Sequence, residues 1–518
     1  MLLIEVSEVT KAVAATSSRL AKRDLLAELL SRTEPQDLEV VVPYLAGELR
    51  QRRTGVGWAS LTALPEPATE PTLEVLAVDA ELERVAALTG AGSQTERRAA
   101  VQALFGAATA DEQRLLRGLL SGEVRQGALD AAILDAVAAA SGVPIGVLRR
   151  AAMLRGSTAP VAVAALTEGE PAVAAFTARV GQAVRPMLAS SAPDVAAAVT
   201  KVGSEVVVDT KLDGIRIQAH KFVDPEKGVV VRLFTRSLDE ITERLPDVVE
   251  VVTALPTDDV ILDGEVLATD AGGRARPFQD TAARTATQVD PGAVGDRLLP
   301  AFFDLLWLDG EPLLDLPLID RLTRLDGLVD DRHRLRRVIG ADADRAASFF
   351  DEVVAAGHEG VVVKDPTAPY EAGRRGAGWV KVKPRHTFDL VVLAVEQGSG
   401  RRRGWLSNIH LGARVPTADG GGFVMVGKTF KGMTDEMLRW QTDRFTELAV
   451  VPEAVARGDW VVELRPEQVV EVAIDGVQRS RRYPGGVALR FARVLRYRDD
   501  KSAAAADTLA DLRALGHS

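Results

Sequence analysis

The sequence contains no cysteine among its 518 residues. This absence excludes disulfide bonds, iron–sulfur clusters, a cysteine nucleophile and any zinc site built on thiolate ligands. The chain also lacks an uninterrupted apolar run near the roughly 18 residues that a membrane-spanning helix needs. Its N-terminus has no basic stretch ahead of an apolar segment, as a signal peptide would have. We therefore expect a soluble, cytoplasmic protein with no membrane partner.

Positive charge is scarce overall but locally concentrated. The formal net charge of −10 argues against a general affinity for polyanions. Between residues 371 and 403, however, eight Lys or Arg stand against three Asp or Glu, and between residues 479 and 501 eight stand against two. An acidic chain with two basic patches is more consistent with one defined phosphate-rich ligand than with diffuse attraction.

The first third of the chain has a helical pattern. Leucines repeat at helical spacing, for example at Leu115, Leu116 and Leu119, and alanine is abundant. This pattern predicts an all-α domain over residues 1–180. The stretch from Gly156 to Pro171 has little amphipathic pattern and is interpreted as a short linker or loop.

At roughly 150 residues per domain, the length of the chain suggests about three domains, so two further domains are expected after the helical one. Short β-type runs separated by Gly, Pro and Asp turns, with some helices between them, predict an α+β domain over residues 181–384. Strands continue beyond it and predict a small C-terminal β-barrel over residues 385–518. A short amphipathic helix is expected after Lys501.

The segment Asp209-Thr-Lys211-Leu-Asp213-Gly214-Ile-Arg216 is the most informative one. It places a lysine amine at the end of an apolar strand, beside a turn. Taken alone, the segment is equally typical of a hairpin with a solvated lysine. Several other apolar strands also carry charged residues at their ends, and convergence of such ends would form a site for a nucleotide and its metal ions. These further residues are Asp263, Glu265, Asp304, Glu359, Lys364, Lys381 and Lys383.

These segments resemble, in the same order, the nucleotidyltransferase motifs of ATP-dependent DNA ligases. The family's Lys-x-Asp-Gly-x-Arg box is met by residues 211–216. The resemblance covers nearly the whole chain and is closest to a bacterial ligase B subfamily with an archaeal-like three-domain layout. The other matching segments are Ser17–Leu20 and Gly122–Gly127 in the helical part, Val184–Ala189, Thr235-Arg236-Ser237, Asp263-Gly-Glu265, Phe303-Asp304, Glu359-Gly360 with Lys364, Trp379 with Lys381 and Lys383, and Arg490–Lys501.

The resemblance implies a multidomain fold with an all-α DNA-binding domain, an α+β adenylation domain and a C-terminal OB-fold barrel. It also implies an enzyme that uses ATP and Mg²⁺ to seal nicks in duplex DNA, acting as a monomer. Lys211 would be the catalytic nucleophile, with its amine made more acidic by neighbouring positive charge. Glu265 and Glu359 would bind Mg²⁺. The implied ATP ligands are Asp209, Arg216, Arg236, Glu265, Phe303, Arg375, Lys381 and Lys383, together with Arg490 and Arg493 of the barrel.

Two other functions stay open from the sequence. One is an RNA ligase or capping-type nucleotidyltransferase, although these smaller relatives usually lack the helical first domain. The other is a nick-binding clamp without catalysis, which the presence of Lys211, Glu265 and Glu359 argues against. An NAD-dependent ligase is disfavoured because that class carries a four-cysteine zinc element.

Two sequence features are interpreted as unrelated to function. Gly422-Phe-Val-Met-Val-Gly-Lys-Thr429 has the spelling of a phosphate-binding loop. Such a loop must precede a helix, whereas Phe-Val-Met-Val favours a strand. The six histidines have no metal-ligand spacing, so we expect them at the surface or hydrogen-bonded in the core.

Overall fold

The computed structural model describes residues 1–51, 54–122, 124, 130–269, 281, 297–371 and 378–515. The chain forms two compact units. The first unit comprises residues 1–191, 199–342 and 362–380, and the second comprises residues 192–198, 343–361 and 381–518. The domain limits at residues 180 and 384 stay a prediction. In these described ranges, no helix is long and apolar enough to cross a membrane.

The first unit begins with a helical region in which individual helices have capping residues at their ends. Thr109 and Glu112 form a capping box at the start of one helix, and Pro35 begins another that ends at the left-handed Gly47. A continuous apolar core, which includes Leu3, Val41 and Tyr44, holds these helices together. The helices are Leu3–Ala15 (α1), Arg19–Arg32 (α2), Pro35–Ala46 (α3), Val75–Ala87 (α4), Ser93–Ala107 (α5), Ala110–Ser121 (α6), Asp130–Ser141 (α7), Ile145–Arg155 (α8), Ala159–Thr167 (α9) and Glu170–Ala174 (α10).

The prediction of a linker over Gly156–Pro171 was wrong, because most of this stretch forms α9. Pro160 lies in the first turn of that helix, where the missing N–H costs nothing. The small side chains of Ala162 and Ala165 are buried, and α9 packs against α3 and α7. Small residues permit this close packing but leave little amphipathic contrast in the sequence.

The first unit also contains an antiparallel sheet in the order β4-β3-β5-β6-β7. Its strands are rich in Val, Ile, Leu and Phe, and one face packs onto the helices Pro246–Thr253 (α12) and Leu318–Leu328 (α13). The strands are Ile215–Asp224 (β3), Gly228–Thr235 (β4), Val260–Thr269 (β5), Arg297–Leu308 (β6) and Glu311–Pro312 (β7).

A second sheet has the order β1-β10-β9-β2-β8. The division into two units falls within two of its strands, β9 and β10. Its strands are Ser190–Ser191 (β1), Val206–Lys211 (β2), Arg337–Ala341 (β8), Gly360–Lys364 (β9) and Trp379–Val382 (β10), and the nearby helices are Val195–Val202 (α11) and Ala343–Ala355 (α14).

The second unit is dominated by an antiparallel sheet in the order β13-β12-β11-β15-β18, with β14 also paired to β11. Among the described residues, the strand pairing does not close into a barrel, which is consistent with the partly open barrel of OB folds. The strands are His386–Gln397 (β11), Leu406–Arg414 (β12), Phe423–Thr429 (β13), Val461–Glu463 (β14), Val469–Ile474 (β15), Gly476–Arg479 (β16), Val487–Arg490 (β17) and Arg493–Arg498 (β18). The helices are Asp435–Leu448 (α15), Glu453–Arg457 (α16) and Leu509–Leu515 (α17).

The predicted fold class is confirmed: a helical region is followed by a mixed α+β region and a mostly β region. The expected helix after Lys501 is α17. The segment that imitates a phosphate-binding loop is strand β13, and no helix follows its lysine and threonine directly.

Candidate active site

Lys211 lies at the last position of β2. The strand forms because Val206, Val207 and Val208 are β-branched and fully buried, whereas Lys211 is only half-buried. Asp209 and Lys211 lie on the same face of the strand, because strand residues alternate between faces. The chain thus places a lysine amine where an apolar strand leaves the core.

Gly214 allows the turn after Lys211 to pack closely against a neighbouring strand. A Cβ atom at this position would lie 2.4 Å from the carbonyl oxygen of Val266 and 2.8 Å from Cγ of Glu265. Real Cβ contacts are never so short, so any other residue would push the turn away from β5. Glycine in the Lys-Leu-Asp-Gly-Ile-Arg box therefore joins the lysine turn to the strand that carries Glu265.

The buried carboxylate of Asp263 holds Arg216 in place. Its Nε and Nη2 donate to the two oxygens of Asp263, at 3.0 and 2.6 Å, in a bidentate pair. Nη1 donates to the Met187 carbonyl at 2.7 Å, and Nη2 also reaches the hydroxyl of Tyr370 at 3.3 Å. Burial alone would lower the pKa of Arg216, but the charge of Asp263 raises it overall.

Tyr370 completes this network. Its hydroxyl donates to Asp263 at 2.7 Å and accepts from the backbone N–H of Met187 at 3.0 Å. Burial raises the pKa of Tyr370 well above its usual value, and the charge of Asp263 raises it further. Arg216 donates four hydrogen bonds within the protein, which leaves at most one of its five N–H groups for ATP. The geometry thus makes Arg216 chiefly a brace for the lysine turn.

Asp209, the neighbour of Lys211 on β2, forms a buried ion pair. Its carboxylate lies 2.5 Å from Nζ of Lys364, and both side chains are at most 2% exposed. The ammonium of Lys364 also lies over the rings of Trp379 and Phe303, at 4.2 and 4.7 Å from their centroids. Aromatic faces attract cations, so Lys364 is stabilised from two sides. Asp209 and Phe303, both predicted to contact ATP, therefore lie around a buried lysine.

A second buried ion pair involves Asp304, the residue that follows Phe303 on β6. Asp304 accepts from Nε and Nη2 of Arg321 at 2.7 and 3.0 Å, and both side chains are fully buried. The Arg321 guanidinium also donates to the carbonyl oxygens of Leu316 and Ala368. This pair links β6 to α13. Asp304 of the predicted Phe303-Asp304 motif therefore has a structural role.

Glu265 lies on β5 opposite Arg216 on one side and Ala301 on the other. It is half-buried. Its carboxylate is a hard oxygen donor of the kind that Mg²⁺ prefers. Within the described parts of the chain, no group of three or more His, Cys, Asp or Glu could hold a metal alone. Mg²⁺ fits nevertheless, because it commonly takes one or two carboxylates and completes its shell with substrate phosphates and water.

In the second unit, Lys383 lies between two carboxylates. Its Nζ donates to Glu359, and it donates to Asp475 at 3.1 Å. Burial alone would lower the pKa of Lys383, but the hydrogen bond to Glu359 and the charges of both acids raise it overall. Two predicted site residues, the proposed metal ligand Glu359 and the proposed ATP ligand Lys383, are thus in direct contact.

Gly360 permits this arrangement beside Glu359. Its φ of 133° lies in a region that side chains avoid, and a Cβ there would lie 2.2 Å from the carbonyl oxygen of Val382. The Glu-Gly pair and the strand that leads to Lys383 can therefore approach only if glycine stands at this position.

The remaining predicted residues lie at strand ends or in turns. Arg236 is exposed in the turn after β4, and the register of Thr235 with Ile217 places it near the end of β3 that carries Arg216. It also lines a cleft of about 680 Å³ together with Arg50 and Arg185. Half-buried Lys381 lies on β10, half-buried Arg490 ends β17, exposed Arg493 begins β18, and Arg375 lies outside the described residues.

Sequence reasoning missed Tyr370, Arg321 and Asp475. Tyr370 and Asp475 meet their partners across long stretches of chain: Tyr370 and Asp263 are 107 residues apart, and Asp475 and Lys383 are 92. Arg321 is 17 residues from Asp304 and lies in a helix, not at a strand end. A weak signal existed for Tyr370, because the sequence contains only four tyrosines.

The expectation for histidine is met at His220. This residue is buried and hydrogen-bonded to Gly181 and Gln218, and burial lowers its pKa to about 3.

Comparison with known proteins identifies the family. Three family models match the chain: ATP dependent DNA ligase domain over residues 186–383, ATP dependent DNA ligase C terminal region over residues 402–501, and DNA ligase N terminus over residues 61–138. A probable DNA ligase of Beutenbergia cavernae is 61% identical and covers 99% of both chains. DNA ligase B of Mycobacterium tuberculosis is 54% identical over 99% of this chain and 100% of its own.

A solved structure, Pmar-Lig_PreS3, has a similar fold. It is 19% identical, covers 95% of this chain and 99% of its own, and superimposes with a TM-score of 0.62. At this identity the likeness concerns the fold alone, whereas the two bacterial relatives match in sequence from end to end. The chain therefore belongs to the ATP-dependent DNA ligase family, whose members use ATP and Mg²⁺ to seal nicks in DNA.

Proposed function

We propose that this chain seals nicks in duplex DNA through a lysyl-AMP intermediate on Lys211. The observation that carries the proposal is the position of Lys211: its amine leaves the core at the end of β2, in a turn that Gly214 packs against the strand of Glu265. Arg216 and Asp263 brace the same turn from the buried side. An amine on a turn that packs against the strand of a hard carboxylate suits attack on a metal-bound phosphate.

Three displacements at phosphorus would complete the reaction. In the first, the neutral Nζ of Lys211 bonds to the α-phosphorus of ATP, the bond from this phosphorus to the bridging oxygen breaks, and pyrophosphate leaves. In the second, an oxygen of the 5′-phosphate at the nick takes AMP from Lys211, which regains a proton. In the third, the 3′-hydroxyl attacks the 5′-phosphorus and AMP leaves, which joins the strand.

The charged residues of the proposed site would divide the work. Lys381 and Lys383 would contact the phosphates, as would Arg236 and, in the part not described, Arg375. Cations in these positions would offset the negative charge that develops on the phosphorus. Arg216 and Asp209 would act mostly through the protein, since Asp263 and Lys364 occupy them. Phe303 would offer adenine an apolar wall.

Glu265 and Glu359 are proposed to hold Mg²⁺. When bound, the ion neutralises phosphate charge and orients the oxygens for displacement. Glu265→Ala and Glu359→Ala should each lower the rate of self-adenylation steeply, and each should raise the Mg²⁺ concentration needed for half the maximal rate. A Mg²⁺ titration of both variants tests this assignment, which fails if both midpoints equal that of the wild type.

The regions before residue 181 and after residue 384 are proposed to hold the duplex. Such a clamp would contact mainly backbone phosphates and groove shape, because a nick can occur in any sequence. Arg50, Arg185 and Arg236 line one cleft. Asp79 pairs with Arg50 and Asp130 with Arg185, so Arg236 would be the main phosphate contact there. We also propose that the chain acts as a monomer, since one chain carries every residue of the proposed site. The cytoplasm is the proposed location, because ATP and the bacterial chromosome are found there.

The test is covalent labelling followed by sealing. Incubation with α-labelled ATP should attach label to the wild type, and mass spectrometry should place AMP on Lys211. GTP and NAD should give no adduct, and Lys211→Ala should remain unlabelled while it still binds nicked DNA. Sealing of a nicked DNA duplex should exceed sealing of the matching RNA duplex. Label on another lysine, or preference for RNA, would overturn the proposal, and absence of any label would leave only a nick-binding clamp.

A further inference from the structure

The acid Asp475 lies in the segment matched by the ligase C-terminal region, yet it contacts a lysine of the segment matched by the ligase domain. Its carboxylate accepts from Nζ of Lys383 at 3.1 Å. The Lys383 side chain is 18% exposed and that of Asp475 is 28% exposed, so the pair is partly shielded from water. Asp475 is therefore an acidic partner of a proposed ATP ligand, which the family motifs in the sequence do not include.

Strand pairing fixes this contact. β11 begins at His386, three residues after Lys383, and His386 is paired with Ile474 at the end of β15. Asp475 is the next residue, and its backbone N–H donates to the Arg490 carbonyl at 3.0 Å. Only two residues separate Lys383 from β11, so the pairing of β11 with β15 places Asp475 close to the lysine. Strand pairing therefore keeps the acid beside the lysine.

Phe491 adds a second contact from the same region. Its ring centroid lies 5.7 Å from Nζ of Lys383, within the range of a cation–π interaction. Phe491 has a φ of 54°, which is uncommon for a residue with a side chain, and its ring is 57% exposed. Such strained positions persist only where the surrounding structure holds them. The ring and the carboxylate of Asp475 thus both hold the ammonium group.

The charges create a conflict with the proposed role of Lys383. Glu359 and Asp475 together carry two negative charges against one positive charge on Lys383. A phosphate that approaches the ammonium group must compete with these carboxylates and meets their repulsion. Glu359 has a proposed role at the metal, which leaves Asp475 as the acid without a part in the chemistry.

We propose that Asp475 is a positioning residue for Lys383, holding its ammonium group in place until the phosphates of ATP displace the carboxylate. This inference rests on the proposed function, in which Lys383 contacts ATP. Once Lys383 binds phosphate, the contact with Asp475 is broken, so Asp475 affects the state before binding and not the chemical step. The acid thus sets the affinity for ATP and, in the reverse reaction, for pyrophosphate.

Single-turnover labelling with α-labelled ATP tests the proposal. Asp475→Asn keeps the size of the side chain and removes the competing charge. The ATP concentration for half-maximal self-adenylation should fall by about three- to tenfold, since a partly buried ion pair is stronger than an exposed one. The maximal rate should stay within about twofold of the wild type. The pyrophosphate concentration that removes label from the isolated adduct should fall by the same factor.

Two variants serve as controls. Asp475→Glu keeps the carboxylate and should restore half-maximal concentrations near those of the wild type. Asp459→Asn removes one negative charge from an exposed ion pair with Arg457 in the same unit and should change neither concentration. Asp475→Ser provides the same charge removal if Asp475→Asn does not fold, and thermal unfolding establishes which variants are folded.

The outcomes separate the inference from the proposed function. A labelled wild type together with an unchanged or raised half-maximal ATP concentration in folded Asp475→Asn overturns the inference alone. An equal change in Asp459→Asn would show that only net charge matters and would also overturn it. A wild type that takes no label from ATP overturns the proposed function and this inference with it.

Discussion

Replacing Asp263 by asparagine should destabilise the first unit and disable Lys211 at the same time. Asp263 is 1% exposed and accepts three hydrogen bonds, two from Arg216 and one from Tyr370. Asparagine has nearly the same shape but has no charge and only one acceptor oxygen. Its amide would face the guanidinium donors of Arg216, which would remain buried without their paired carboxylate.

The magnitude follows from the loss of a buried charge partner. Breaking such a pair costs about 3–5 kcal/mol, and we expect the lower end, about 3 kcal/mol, because Arg216 keeps its bond to the Met187 carbonyl. The first unit has about 350 residues, and at an unfolding entropy of about 2 cal/mol/K per residue each kcal/mol lowers its unfolding midpoint by about 1–1.5 °C. The midpoint of the transition that includes the first unit should therefore fall by about 3–5 °C.

The same change should slow self-adenylation. Arg216 closes the turn that begins at Lys211, and a misplacement of about 1 Å at a reacting group can cost on the order of a hundredfold in rate. We expect Asp263→Asn to reduce the single-turnover rate more than tenfold at 20 °C, well below its own unfolding transition. Calorimetry and α-labelled ATP measure the two effects on the same preparation.

A matched control separates this network from a general loss of charge. Glu311 pairs with Arg324 at 2.6 Å in the same unit, but both side chains are largely exposed to water. Glu311→Gln should leave the unfolding midpoint and the labelling rate unchanged, because solvent screens such pairs. If Asp263→Asn lowers the midpoint by less than about 1 °C, or labels as fast as Glu311→Gln, the bracing role assigned to Asp263 is wrong.

Three further predictions concern pH, the turn and the C-terminal arginines. Burial raises the pKa of Tyr370 above its ordinary value near 10, so its contribution to stability is complete below about pH 10 and is lost at higher pH. The unfolding midpoint should thus fall as pH rises above about 10, and less so in Tyr370→Phe; equal alkaline slopes would contradict this. Gly214→Ala should lower the labelling rate at least tenfold, because its Cβ would clash with the Val266 carbonyl, and a rate near that of the wild type would show that β5 can yield. Arg490→Ala and Arg493→Ala should slow self-adenylation in single-turnover assays if these residues act on departing pyrophosphate. A selective loss of DNA binding would instead make them phosphate anchors.

Much of this protein follows from local sequence pattern. Runs such as Val206-Val-Val favour strands wherever they stand, because β-branched side chains suit a pleated, buried surface. The same reasoning correctly rejected the imitation of a phosphate-binding loop at Phe423–Thr429. The order of the charged strand ends was sufficient to identify the family. The resemblance to that family implies that Lys211 is the nucleophile, which stays a prediction until the adduct is mapped.

The partners of the site residues were decided only by the tertiary structure. Asp209 was predicted to contact ATP, but the fold buries it against Lys364, 155 residues later in the chain. Arg216 was assigned to ATP as well, and the fold gives most of its donors to Asp263, Met187 and Tyr370. Sequence pattern reports which residues are charged and which face they occupy, but not which opposite charge the topology brings within 3 Å.

The helix α9 shows the same limit in the helical region. Its alanines favour a helix, but a nine-residue segment of small side chains has no amphipathic pattern, and the helix is stabilised by burial against α3 and α7. Local pattern determines an element when its own side chains supply the preference, as in β2. Where the stabilising contacts come from distant parts of the chain, as in α9 and around Asp263, only the folded structure determines the outcome, because burial and charge pairing are properties of neighbours in space.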